Sequence, residues 1–156
     1  MSTKATETSA VHRSVTVDCS VDHAFETFTE RMHEWWPLHT YSIEVDEGGG
    51  APETVLFQGG AGGQVYERTT KGEELKWADV LAWEPPHRLV LAWSPAREER
   101  IPTEIEVRFT EEGGRTRVDL VHRGWEKLGE RGAQMRQGYD SGWIAVLGAF
   151  TETASS

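Results

Sequence analysis

Between residues 64 and 122 the chain is a succession of alternating runs, joined by connections too short to carry a crossover helix. The runs are 64–70, 74–84, 87–93, 103–110 and 116–122. Gly72, Pro85-Pro86, the charged loop 94–102 and the turn Glu111-Glu112-Gly113-Gly114 separate them. Leu89, Leu91 and Trp93 share one face of their run, as do Ile105, Val107 and Phe109, and then Val118, Leu120 and His122. A period of two marks a half-buried strand, and short returns imply antiparallel pairing. At Arg131 the period changes. Met135, Tyr139, Trp143, Val146 or Leu147, and Phe150 fall at helical steps, which predicts one amphipathic helix over 131–152. Such a sheet has one face to cover, and only this helix is long enough to cover it.

Upstream, residues 1–10 read as a disordered tail and 11–153 as a single domain. Val11, Arg13, Val15 and Val17 alternate in a first strand. Ser20 or Asp22 can cap a helix beginning at Val21, where Ala24, Phe25 and Phe28 follow at helical spacing. Met32, Trp35 and Trp36 extend the apolar face until Pro37 stops it, so two short consecutive helices are expected. Glycine clusters at 48–50 and 59–63 bracket one more short strand at 55–57.

Charge and cysteine content narrow the function classes. A net charge of −10 argues against a surface that tracks nucleic-acid phosphates and against docking on anionic lipid. The single cysteine, Cys19, excludes an intrachain disulfide, and with no apolar leader or spanning run it suits a cytoplasmic protein. Neither glycine cluster has the phosphate-loop pattern, and no ligand-spaced set of His and Cys is present. No metal and no cofactor are expected. No nucleophile elbow occurs either, and the carboxylate pairs Asp46-Glu47, Glu98-Glu99 and Glu111-Glu112 all fall in loops.

The order strand, two helices, further strands and long helix resembles the helix-grip fold of the START-like, or SRPBCC, superfamily. Within it the chain resembles the single-domain family named after the activator homologue of the heat-shock-protein-90 ATPase. The residues that carry the resemblance are the VDHAFETFT helix with its Trp-Trp-Pro stop, WADVLAWEPPHRLVLAW, TEIEVRFTEEGGRTRVDLVHRGWEKLG and the GYDSGWIAVLGAF helix. The resemblance implies an α+β helix-grip fold: a curved antiparallel sheet wrapped around a long C-terminal helix, with two short helices after the first strand. It also implies an internal cavity, since superfamily members bind lipids, hormones or polyketides and some act as cyclases.

Seven tryptophans are the chemical feature to account for. Trp77, Trp93 and Trp143 are in phase with inward residues, and the final helix adds a stripe of small residues at Gly138, Gly142, Ala145 and Ala149. Small residues beside large aromatics leave a void or permit close helix–sheet contact, and the resemblance favours the void. The walls are then Trp36, Trp77, Leu91, Trp93, Phe109, Tyr139 and Trp143. His122 has two readings, a polar anchor of the cavity or a core histidine satisfied by its neighbours. Glu67, in phase with Val65, is either exposed or a second anchor whose buried carboxylate must be paired. The expected function is binding of a small apolar molecule without catalysis. The alternatives are a co-chaperone-like interaction domain, with a protein partner, and a cyclase or hydrolase acting on a polyketide-like substrate.

Overall fold

The computed structural model describes residues 9–98 and 100–156, so most of the expected tail lies outside the described residues. Seven strands form one antiparallel sheet: β1 (Val11–Val17), β2 (Thr54–Phe57), β3 (Gln64–Arg68), β4 (Glu74–Glu84), β5 (Arg88–Trp93), β6 (Thr103–Glu112) and β7 (Arg115–Arg123). Their order across the sheet is β1-β7-β6-β5-β4-β3-β2. The sheet curls into a half-barrel around a helix of 25 residues, α3 (Glu130–Ala154). From β2 to β7 every neighbour in sequence is a neighbour in space, as the short returns require. The one long excursion carries the chain from β1 at one edge to β2 at the other, through α1 (Val21–Phe28) and α2 (Ile43–Asp46).

That excursion differs from the sequence expectation. Ser20 caps α1 by accepting from His23 N–H. Beyond Phe28, however, the apolar face continues only as a 3-10 turn, Met32–Glu34. Trp35 and Trp36 are already in irregular backbone, each indole N–H donating to a main-chain carbonyl, that of Thr27 (2.7 Å) and that of Tyr41 (2.7 Å). The second true helix, α2, comes after Pro37, where the sequence reads as loop because only four residues of it are helical.

Two bulges in β4 settle which tryptophans enter the core. The β3–β4 register passes from Val65↔Ala78 to Tyr66↔Lys76, so Trp77 is the extra residue and is buried beside its neighbour Ala78. The β4–β5 register passes from Val80↔Leu91 to Ala82↔Val90, which pushes Leu81 out to solvent. On the sheet's outer side, Glu106 is held by Arg88, Arg108 and Arg123. Burial opposes its charge, but those guanidinium contacts prevail and bring its carboxyl down to about 2.

The core divides along α3. Toward the C-terminus, Phe150 meets Phe28 and Trp35 edge-on, with centroids 5.3 and 5.2 Å apart, and Phe28 and Phe25 continue to Phe109. This half is solid aromatic packing. Toward the N-terminus α3 presents Gly138 and Gly142, and the packing opens. Glycines on the same helix therefore do different work. A Cβ on Gly132 would lie 2.0 Å from the Trp125 carbonyl oxygen, whereas one on Gly138 would meet nothing within 4 Å. Gly132→Ala is expected to destabilise by about 1–3 kcal/mol through overpacking. Gly138→Ala should stabilise by about 0.5–1 kcal/mol through helix propensity. Denaturant melts of the two variants should therefore shift in opposite directions.

Candidate functional site

A cavity of about 440 Å³ lies between the N-terminal half of α3, strands β4 and β5, and the segment that leads into α2. That volume is within the range of small-molecule sites. Its floor is aromatic. Trp36, Trp77, Trp93 and Trp143 all line it, with Trp36 touching each of the other three at centroid distances of 5.0, 5.9 and 6.0 Å. Tyr139, Met135, Gly138, Gly142 and Val146 contribute the helix side. Tyr41, Ser42, Asp46, Pro95 and Arg100 complete the rim.

Each of the four indoles bonds its N–H within the protein. Trp36 donates to the Tyr41 carbonyl, and Trp77 to Glu67 Oε1 at 2.7 Å. Trp93 donates to the Tyr139 hydroxyl at 3.0 Å, and Trp143 to His122 Nδ1 at 3.1 Å. A buried indole needs such a partner. The result is a wall of π surface whose polar edges are already satisfied.

Glu67 and His122 are the supports of this wall. Glu67 is fully buried. Its carboxylate accepts from the backbone N–H of Ile43 (2.6 Å) and Glu44 (3.0 Å), the opening residues of α2, as well as from Trp77. One side chain thus fixes α2 to β3 and orients an indole, and it does not line the cavity. His122 is equally buried. Because an indole can only donate, Nδ1 must be the acceptor and Nε2 carries the proton. Nε2–H then donates to Thr103 Oγ1 at 2.7 Å, and Thr103 donates to the Trp93 carbonyl at 3.2 Å. Both ring nitrogens are spent on protein partners, the arrangement of a satisfied core histidine. Burial lowers its pKa from 6.5 to about 3.

Of the residues expected at the site, the structure brings Trp36, Trp77, Trp93, Tyr139 and Trp143 together around the cavity. Leu91, in the core on β5, and Phe109, which packs on Phe25 and Phe28 in the solid half, do not line it. Glu67 and His122, expected as polar anchors, do not line it; each is consumed by its own neighbours. The sequence reading passed over Tyr41, Ser42, Asp46, Pro95, Arg100, Met135 and Val146. A faint signal existed for the α2 segment, since Ser42 caps it by accepting from Val45 N–H.

Tyr139 is the polar group inside. Burial pushes its hydroxyl pKa up, against the hydrogen bond from Trp93. Having accepted from Trp93, the hydroxyl keeps a proton with no acceptor among the described residues. Asp46, at the rim, has its carboxyl pushed up by partial burial and by the neighbouring charges of Glu67 and Glu47. Among the described residues there is no cluster of His, Cys, Asp and Glu that could hold a metal ion, and no helix long and apolar enough to cross a membrane.

The neutral His122 makes acid stability a direct test. Its folded pKa lies below the unfolded value, so the unfolded chain binds the extra proton and stability falls as pH drops from 6.5 toward 3. Between pH 6.5 and 5, above the titration of most carboxylates, the loss should approach about 1.4 kcal/mol per pH unit. Denaturant melts should show that slope in the native chain and not in His122→Phe, and equal slopes would contradict the assignment.

Comparison with known proteins follows the same lines. The family model for Activator of Hsp90 ATPase homolog 1-like protein matches residues 18–154. No curated protein matches the chain. Among solved structures, the self-sacrificing resistance protein CalC from Micromonospora echinospora is 29% identical, with 95% of each chain covered and a TM-score of 0.69. An anthrahydroquino-gamma-pyrone synthase, Txn09, is 34% identical over 83% of this chain and 84% of its own, with a TM-score of 0.56. Aha1 from Colwellia psychrerythraea, solved as a dimer, is 13% identical and shares the fold, covering 94% of this chain and 96% of its own with a TM-score of 0.66.

Proposed function

This chain belongs to the family of Activator of Hsp90 ATPase homolog 1-like proteins, and we propose that it binds a flat, polycyclic aromatic molecule in the cavity between sheet and α3, without catalysis of its own. One observation carries this reading: four indoles packed around Trp36, whose N–H groups are all bonded within the protein. Such a wall offers dispersion and stacking and asks for no polar partner, which selects a rigid aromatic over a flexible polar ligand. The likeness to a synthase named for a fused anthrahydroquinone–pyrone product supports a ligand of that class. The absence of catalysis rests on His122, whose two nitrogens are occupied and which therefore has none left for a substrate.

A second reading has its own observation. The synthase likeness, together with the unspent Tyr139 proton and the raised Asp46 carboxyl, supports ring closure on a bound polyketide-like substrate. The two readings differ in turnover. The chaperone-partner alternative rests on the family name and the acidic composition alone.

Titration with 1,8-dihydroxyanthraquinone should quench tryptophan emission saturably at one site. Gly138→Leu, which narrows the mouth, should weaken binding by at least about tenfold while the melting temperature holds or rises. A flat titration with the native chain would remove the aromatic-ligand reading. Conversion of an open-chain polyketone, abolished in Tyr139→Phe, would replace binding with catalysis.

A further inference from the structure

Ten of the fifteen described lysines and arginines lie within 4.0 Å of a carboxylate, as expected in a chain of net charge −10. The five with no carboxylate of a described residue within that distance are Lys71, Arg100, Lys127, Arg131 and Arg136, and Arg136 is spent on the carbonyls of Ser9 and Ala10. Three of the remaining four surround one place. Arg100, Lys127 and Arg131 line a second cavity of about 430 Å³, where Glu98 is the single carboxylate among the described residues.

This second cavity adjoins the aromatic one. Trp93, Pro95, Arg100, Met135 and Tyr139 line both. The Tyr139 hydroxyl, held by Trp93, therefore stands at the junction with a proton to give. An acidic protein that gathers three cations with no carboxylate partner among the described residues on one vestibule has a surface where an anion gains charge complementarity without displacing an internal partner.

We infer that the vestibule is an anion subsite, and that the ligand is an aromatic polycycle bearing a carboxylate or similar anionic group that crosses Tyr139 to reach Arg100, Lys127 and Arg131. The inference rests on the aromatic-cavity reading above. The inner rings stack on the tryptophans, a ring carbonyl accepts the Tyr139 proton, and the anionic arm lies among the three cations. Because the cations are exposed, their contribution is screened by salt.

Two probes of equal shape separate this inference from its premise: anthraquinone-2-carboxylate and anthraquinone-2-carboxamide, followed by tryptophan quenching. At about 20 mM salt the carboxylate should bind roughly tenfold more tightly, and at about 0.5 M salt the preference should vanish. Lys127→Gln combined with Arg131→Gln should remove most of the carboxylate's advantage over the carboxamide, Arg100 alone remaining. Both positions are exposed, and an unchanged melting curve verifies that the fold is intact. Equal affinity of the two probes for the native chain overturns the anion subsite and leaves the aromatic cavity standing. A preference undiminished in the double variant overturns the assignment to these cations. Failure of both probes to bind overturns the aromatic-cavity reading and the subsite with it.

Discussion

A carboxylate buried without a cation organises this molecule. Glu67 has no ion pair among the described residues, and its charge is carried instead by three N–H donors, two from the start of α2 and one from Trp77. Hydrogen bonds to a charged acceptor are stronger than neutral ones, and losing a donor would leave the desolvated charge exposed to its full penalty. A four-residue helix has little stability of its own. α2 exists where it does because Glu67 holds its first turn, and the segment from Tyr41 to Asp46 is a cavity rim for the same reason. Arg97 secures the other end of that segment by bridging Glu47 to Glu73 in the β3–β4 turn.

The same requirement, that every buried donor find an acceptor, sets the shape of the aromatic wall. Trp93 leans on Tyr139, Trp143 on His122, and His122 through Thr103 back to the Trp93 carbonyl. This closed circuit links β5, β6, β7 and α3 around one end of the cavity. It fixes a neutral histidine in one tautomer and uses up the chemistry a histidine would otherwise offer. Rings held by their polar edges cannot rotate to fill the space in front of them, so the void beside Gly138 and Gly142 persists while the other half of α3 packs solid against Phe28 and Phe150. Inner cavity and outer vestibule then differ in emphasis: one is walled by indoles whose N–H groups are bonded within the protein, the other carries three cations with no carboxylate partner among the described residues.

The antiparallel hairpin succession, the single covering helix and the small-residue stripe were legible in the sequence, because periodicity and turn spacing report directly which face of an element is buried; that β1 closes against β7 was not. The alternation of Val118, Leu120 and His122 placed His122 inside, and that of Val65 and Glu67 left open an inward Glu67. What alternation could not say is whom a buried group meets. Glu67 finds α2 across 24 residues of chain and His122 finds Trp143 across 21. Trp77 looked like an ordinary inward residue, yet its position depends on a bulge that only pairing with β3 creates.

By itself, then, the sequence determined an α+β chain whose antiparallel sheet must wrap its last helix, since hydrophobic burial follows a period that any single strand or helix displays. Only the tertiary structure decided that Leu91 and Phe109 pack away from the cavity, that Tyr41, Asp46 and Arg100 form its rim, and that Arg100, Lys127 and Arg131 gather beside it. Those outcomes depend on curvature, bulges and hydrogen-bond partners between distant segments, and no local pattern encodes the distance between them.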